Sequence, residues 1–369
     1  MDARMEVESL DLKTLGWDEW FAERTDCGPA ESVARVAAVD RELLLLLDGD
    51  GLFRAKLSGA FLHRHRSARE LPCVGDWVCV EKPPGPSGQL GRDSRSVHTV
   101  HSLLERRTVL RRKVAGADVE YQMIAANVDA VVIVQSCHFD FNVNRLERYL
   151  VMVRDGGAEP YVLLTKTDLV SSAELDAQIA AIRSAGITAP VLTLSNVTRE
   201  GVDEIRALLE PGRTYCFVGS SGVGKSTLIN RLLGRELLET QTVSGTGEGR
   251  HTTVRRELML LDGGALVIDN PGMRELGILG ADDGLSASFG DVAALASGCR
   301  FRDCTHVSEP GCAVLEALES GELSRAQYEN YRKLESESAF NQASYVERRK
   351  KDRAFGRYIK AVKKDLSKE

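Results

Sequence analysis

The chain is predicted to be multidomain: an N-terminal β-barrel of OB-fold type, a central α/β P-loop domain with its motifs in permuted order, and a mainly helical C-terminal domain holding a metal. Three observations predict it. Short apolar runs broken by turns fill residues 33–97, strand and helix patterns alternate from about residue 122 around "GSSGVGKST", and "CRFRDCTHVSEPGC" follows them. At 369 residues the chain has room for two or three domains, and its apolar and charged content is that of a globular protein. The boundaries fall as an extension over 1–32, the barrel over 33–104, the α/β domain over 105–280 and the helical domain over 281–369.

The barrel is expected from "VARVAAVD", "ELLLLLDG", "GLFRAKL" and "VGDWVCVE", whose spacing suits short antiparallel strands; an OB-fold is the natural guess, and another five-stranded barrel would show the same periodicity. Between them "FLHRHRSAR" forms a basic loop, where Arg64 and Arg66 are candidate RNA phosphate contacts; a solvated charged loop is the plainer alternative. No apolar run reaches the roughly 18 residues of a membrane span, and the acidic N-terminus lacks a secretory core, so a cytoplasmic protein is expected. Of eight cysteines, Cys27, Cys73, Cys79, Cys137 and Cys216 lie among apolar neighbours and are expected as small buried thiols in a reducing compartment. The net charge of -6 excludes a uniformly basic protein but hides a basic C-terminus.

In the α/β domain "VDAVVIVQS", "EPYVLLTKTDL" and "PVLTLSN" are strands, and "NVNRLERYLVMVRD", "AELDAQIAAIRSAG" and "GVDEIRALLE" are helices. "TYCFVG" is the strand before the glycine loop and "STLINRLLG" the helix after it, the context that turns a short motif into a phosphate loop. Residues Gly219, Ser220, Ser221, Gly222, Val223 and Gly224 curl the backbone so that its N–H groups face an anion, and Lys225 reaches the terminal phosphates. Ser226 would ligate Mg2+, with Thr227 beside it. "ELMLLDGGALVIDNPG" is a hairpin whose last strand ends at Asp269, a magnesium-associated carboxylate, while Gly272 offers an N–H to the terminal phosphate.

The motif "TKTD", Thr165, Lys166, Thr167 and Asp168, sets base identity. Asp168 accepts hydrogen bonds from guanine N1–H and the 2-amino group, and the Lys166 stem lies over the ring. GTP is therefore expected over ATP. Asparagine usually opens this motif in GTPases; Thr165 in its place means that some amide hydrogen bonds are lost or replaced, which predicts weaker binding. Ser195 stands where a backbone contact to the guanine oxygen is expected, and a plain strand-end serine is its alternative. "GTGEGRHTTVRREL" is expected to be a switch segment in which Thr252 or Thr253 completes the magnesium shell. The order is base motif, phosphate loop, switch, magnesium strand. An ordinary GTPase starts with the phosphate loop, so the domain is circularly permuted, as joined termini and a new cut would allow.

Cys299, Cys304, His306 and Cys312 offer three thiolates and an imidazole, a closed donor set for structural zinc; buried free thiols are the alternative. "AVLEALESGELSRAQYENYRKLESES" then forms two helices, and a basic tail with Arg348, Arg349, Lys350 and Lys351 is a second candidate RNA contact or a solvated helix.

Together "LERRTVLRR", "AANVDAVVIV", "TKTDL", "GSSGVGKSTLIN", "GEGRHTT", "DNPGMREL" and "CRFRDCTHVSEPGCAV" resemble the ribosome small-subunit-dependent GTPase A family across nearly the whole chain. The resemblance implies an OB-fold, a permuted GTPase and a zinc-binding helical domain. It further implies late maturation of the small ribosomal subunit, rRNA binding, and GTP hydrolysis stimulated by that subunit; a monomer is expected. Met273 stands where many GTPases carry a water-orienting Gln, so slow intrinsic hydrolysis is expected, and the resemblance points to His251 as the replacement. Two rival readings are a non-catalytic RNA-binding scaffold stabilised by nucleotide and a permuted GTPase of large-subunit assembly; Lys225, Ser226 and Asp269 weigh against the first.

Overall fold

The computed structural model describes residues 11–40, 43–65, 67, 69–81, 97–113, 121–234, 256–270 and 282–342. The expectations for Arg66, His251, Thr252, Thr253, Gly272, Arg348, Arg349, Lys350 and Lys351 lie outside the described residues. Two compact units are formed, one from Met1–Arg111 with Met123–Glu275 and the other from Arg112–Gln122 with Leu276–Glu369.

Ahead of the barrel, a single turn of 3-10 helix at Leu12–Leu15 leads into α1, Glu19–Glu23, capped by the Asp18 carboxylate. Leu15 and Phe21 are buried, and Trp17 meets Trp77 edge-on at 4.8 Å. The strands β1 (Glu31–Asp40), β2 (Leu43–Asp48), β3 (Gly51–Leu57), β4 (Trp77–Glu81) and β5 (His98–Leu103) pair in the order β1-β2-β3-β5-β4 and close through β1–β4. This is a closed five-stranded barrel, filled by Ala34, Val36, Leu46, Ala55, Val78, Val80 and Val100. The leucine-rich β2 suits it because alternate residues must face the interior.

Two expectations are corrected here. Cys27 and Cys79 are a disulfide rather than free thiols: their Cα atoms lie 5.5 Å apart, within bridging distance, although 52 residues separate them. Cys73, Cys137 and Cys216 are free and buried as expected. The basic segment after β3 is not all loop. Residues Gly59–Arg64 form α2, because the Ser58 hydroxyl caps the Phe61 N–H and Phe61 buries its ring.

After a two-stranded ribbon of β6 (Val109–Lys113) and β7 (Tyr121–Ala126), the α/β domain follows in the predicted alternation. Its elements are β8 (Ala130–Ser136), α3 (Val143–Asp155), β9 (Glu159–Thr165), α4 (Ser172–Ser184), β10 (Val191–Leu194), α5 (Val202–Leu208), β11 (Thr214–Gly219), α6 (Lys225–Leu232), β12 (Glu257–Leu260) and β13 (Leu266–Asp269). The strands β10, β9, β8, β11 and β13 lie side by side and parallel, with β12 antiparallel at the edge. Every residue of β8 and β11 is buried, which explains why both are unbroken apolar runs rather than alternating ones. Sequence order runs outward in opposite directions from the β8–β11 pair. That reversal is the topological switch point, where an open α/β sheet binds ligands at its carboxyl edge.

The barrel and the sheet are continuous through one β1–β12 pairing, Ala38 opposite Glu257. Beside it the fully buried Arg35 of β1 donates to the carbonyls of Leu15, Gly75 (3.2 Å) and Asn127 (2.9 Å), and burial pushes its pKa down to about 10. The second unit contains α7 (Asp282–Ser288), α8 (Gly290–Ala296), α9 (Ala313–Ser320) and α10 (Arg325–Gln342); the cysteine cluster lies in the chain between α8 and α9, and the two helices expected after it are α9 and α10. Among the described residues no helix is long and apolar enough to cross a membrane.

Candidate nucleotide site and metal centre

The carboxyl ends of β9, β10, β11 and β13 bring the predicted nucleotide residues to one edge of the sheet. Gly219 ends β11 at φ 145°, and a Cβ there would lie 2.2 Å from the Val134 carbonyl oxygen of β8. Only glycine fits. Gly222 (φ 77°) and Gly224 (φ 98°) curl residues 220–224 into α6, whose first N–H groups have no side-chain cap. Lys225 folds back over this loop, its Nζ donating to the carbonyls of Gly219 (2.8 Å) and Ser220 (2.7 Å). Burial pushes its pKa down to about 8, against the pull of the Asp269 and Asp140 carboxylates. The arrangement offers a ring of backbone donors and one ammonium to an anion.

Asp269 is buried at the end of β13 opposite this loop, and neither carboxylate oxygen has a hydrogen bond among the described residues. Burial raises its pKa, with the Lys225 ammonium and the nearby Ser226 hydroxyl pulling it down. A desolvated carboxylate with the Ser226 hydroxyl close by but outside hydrogen-bond geometry is costly unless a cation or its waters satisfy it, so Asp269 and Ser226 fit Mg2+. The buried Ser220 Oγ, Asn270 Nδ2 and Asn196 Oδ1 are likewise without partners among the described residues.

At the base end, Asp168 is exposed after β9 and accepts a 2.6 Å hydrogen bond from the Ser195 hydroxyl. Ser195 Oγ in turn accepts from the N–H groups of Val197 (3.1 Å) and Thr198 (3.0 Å). Lys166 adopts a left-handed backbone (φ 60°), while Thr167 opens the turn Thr167–Leu169. Thr165 is fully buried, and its hydroxyl donates to the Val223 carbonyl at 2.6 Å, with the Gln135 carbonyl at 3.2 Å. The structure adds Asn196, whose Nδ2 donates to the Gly224 carbonyl at 3.2 Å. The absence of an amide at position 165 was the signal in the sequence that another residue should supply one.

In the second unit, Cys299, Cys304, His306 and Cys312 converge with all four donor atoms within 4.8 Å of one another. The separations Cys299 Sγ–His306 Nδ1 (3.6 Å), His306 Nδ1–Cys312 Sγ (3.4 Å) and Cys299 Sγ–Cys312 Sγ (3.9 Å) match the edges, about 3.5–3.8 Å, of a tetrahedron with metal–ligand bonds of 2.0–2.3 Å. Three sulfurs and an imidazole in that geometry fit zinc. His306 holds a left-handed backbone (φ 55°), and Tyr328 donates to its carbonyl at 2.6 Å. Glu309 ties the loop by accepting from the Thr305 hydroxyl and from the N–H groups of Val307 (2.9 Å), Ser308 (3.0 Å) and Thr305 (2.9 Å), which together hold its carboxyl well below the usual range. Of the predicted RNA contacts, Arg64 is described, exposed at the end of α2.

The sheet order, the glycine loop and the carboxyl-edge carboxylates define a P-loop GTPase domain in which the base motif precedes the phosphate loop. The RsgA GTPase family model matches residues 103–279. A small ribosomal subunit biogenesis GTPase RsgA from Opitutus terrae is 44% identical over 336 residues, covering 90% of each chain. Another, designated RsgA 2, from Vibrio parahaemolyticus is 38% identical over 361 residues, 97% of this chain and 94% of that one. Among solved structures, YjeQ from Thermotoga maritima superposes with a TM-score of 0.59 at 25% identity, covering 82% of this chain and 97% of that one. YloQ, described as a circularly permuted GTPase, gives 0.58 at 23% identity over 85% and 97%, a likeness of fold. The chain belongs to the RsgA GTPase family.

Proposed function

We propose that this protein hydrolyses GTP as a late maturation factor of the small ribosomal subunit, that the subunit stimulates hydrolysis, and that hydrolysis permits release. The observation that carries this is the convergence of Asp168, Lys225 and Asp269 at one sheet edge in permuted order, in a chain whose relatives are named for small-subunit biogenesis. Such a cycle requires different affinities for the subunit in the two nucleotide states.

In this reading Asp168 accepts from the guanine N1–H and 2-amino groups, and Lys166 with Thr167 shapes the base pocket. Its partner Ser195 orients the carboxylate through the 2.6 Å hydrogen bond, and the contact to the guanine oxygen comes from the backbone of this loop. Residues Gly219, Ser220, Ser221, Gly222, Val223 and Gly224 hold the phosphates with Lys225, Ser226 and Thr227. Ser226, Asp269 and Thr252 or Thr253 hold Mg2+, which neutralises phosphate charge. Gly272 donates its N–H to the terminal phosphate, and His251 orients the attacking water where Met273 cannot.

Zinc held by Cys299, Cys304, His306 and Cys312 is structural, since the four donors leave no open position. We assign the barrel to the OB class; the β1-β2-β3-β5-β4 order and the parallel β3–β5 pairing support it. Arg64 and Arg66, with Arg348, Arg349, Lys350 and Lys351 of the tail, contact rRNA phosphates. Boundaries at 32, 104 and 280, a monomeric state and a cytoplasmic location complete the reading.

The test is GTP turnover by the purified protein alone, with small subunits, and with large subunits as control. Stimulation by small subunits alone is expected. Unchanged turnover despite subunit binding would leave a nucleotide-stabilised scaffold, and stimulation by large subunits would move the partner.

A further inference from the structure

Thr165 leaves the base motif one amide short, since its hydroxyl makes a single donated bond where an asparagine side chain has both donors and an acceptor. That bond goes to Val223, the residue before the last glycine of the phosphate loop. The next carbonyl, that of Gly224, receives the amide of Asn196. The approach depends on glycine: a Cβ on residue 224 would lie 2.9 Å from Asn196 Nδ2. Asn196 is held from its other end as well, because Arg231 of α6 donates to its carbonyl at 2.8 Å. It directly follows Ser195, which carries the hydrogen bond to Asp168.

We propose that Asn196 is a positioning residue for nucleotide binding, supplying the amide that Thr165 lacks and strapping the base-recognition loop to the phosphate loop. Thr165 and Asn196 divide between two strands' ends the work of one asparagine. The strap keeps the carboxylate that reads the base and the backbone donors that hold the phosphates at a constant separation, so a nucleotide meets both without reordering either. Pre-arrangement of this kind acts on affinity by removing an ordering cost. The inference rests on the reading of this edge as a guanine-nucleotide site.

Binding of GDP and of GTP would be measured by calorimetric titration, with ADP as control, for the wild type, Asn196→Ala, Thr165→Asn and the double variant T165N/N196A. Loss of one such bond is expected to weaken GDP and GTP alike by about two- to twelvefold in N196A. Because this bond is already made without nucleotide, the melting temperature of the nucleotide-free protein should fall by no more than about 2–4 °C, the size of one hydrogen bond in a domain this large. In T165N/N196A affinity should return to within about twofold of wild type, a rescue that a merely structural role for Asn196 does not provide. N196A binding as tightly as wild type overturns the proposal, as does a folded T165N/N196A that stays weak. Should T165N fail to fold, Thr165→Val replaces it: T165V and N196A cut the same strap, so their combined loss should fall short of the product of the single losses, and a fully multiplicative loss overturns the strap. A wild-type protein that prefers ADP to GDP overturns the guanine reading itself, and this shows before any substitution is made.

Discussion

Replacing Arg106 by Met should destabilise the barrel by several kcal/mol. Its guanidinium grips Asp76 with two bonds, Nε to Oδ1 at 2.7 Å and Nη2 to Oδ2 at 2.7 Å, and also donates to the carbonyls of Leu71 (2.8 Å) and Arg69. Asp76 is completely buried, and its carboxylate also accepts from the Cys73 N–H at 2.7 Å, with the Cys73 thiol beside it as a further donor. Methionine keeps most of the apolar stem but leaves a buried carboxylate without its ion-pair partner, with the Arg35 guanidinium as a more distant positive charge, which costs about 3–5 kcal/mol. With a urea m-value of about 2 kcal/mol per molar, the midpoint falls by about 2 M. Tryptophan fluorescence is the assay: all three tryptophans, Trp17, Trp20 and Trp77, lie on or against the barrel, so the signal reports this region and not the helical unit. The double variant D76N/R106M removes the orphaned charge and should be more stable than R106M alone. A midpoint for R106M within about 0.5 M of wild type, or a double variant that costs the full sum, would refute the account of this pair.

Gly219→Ala places a methyl 2.2 Å from the Val134 carbonyl at a φ of 145°, so β8 and β11 must part; a loss of about 2–4 kcal/mol in stability is expected by thermal unfolding, with weakened GDP binding. Asp168→Asn exchanges an acceptor for an amide donor facing the guanine donors, so GTP affinity should fall roughly 100-fold while xanthosine triphosphate, which presents a carbonyl at position 2, gains; equal loss of both by equilibrium titration would contradict the base-reading role. Cys312→Ser removes one of four donors at the start of α9, and bound zinc measured by metal analysis should drop from about one per chain to near zero. In the same variant circular dichroism should show loss of helix with the tryptophan signal unmoved; loss of zinc with the helix retained would remove the metal from the second unit's stability, and retained zinc would remove Cys312 from the ligand set.

Local chemistry made much of the site legible. "GSSGVGKST" carries its own backbone instructions, because glycine is required wherever φ turns positive, and Gly222 and Gly224 are found there. The buried strands β8 and β11 were legible from apolar runs, and α4 from the helical pattern of "AELDAQIAAIRSAG"; the structure adds the Ser171–Glu174 capping box at its start. The Cys299–Cys312 segment was legible because all of its donors lie within one short loop. The Cys27–Cys79 bond was not, since the two residues sit 52 apart and meet only once α1 packs Phe21 beside Trp77. The ribbon of β6 and β7 was hidden by its charged "RRK", and α2 by the basic character of residues 63–66, which outweighs the single Ser58 cap as a local signal.

The sequence by itself determined which chemical groups the protein owns and the order in which they come, because turns, caps, amphipathic faces and ligand spacing act over a few residues and leave their mark there. Tertiary structure alone decided which of those groups meet. The 2.6 Å contact from Thr165 to Val223 spans 58 residues, the Asn196 amide reaches Gly224 across 28, and Arg106 finds Asp76 across 30. Such pairs depend on which strands lie side by side, and strand order is settled by burial over the whole sheet rather than by any pattern within one segment.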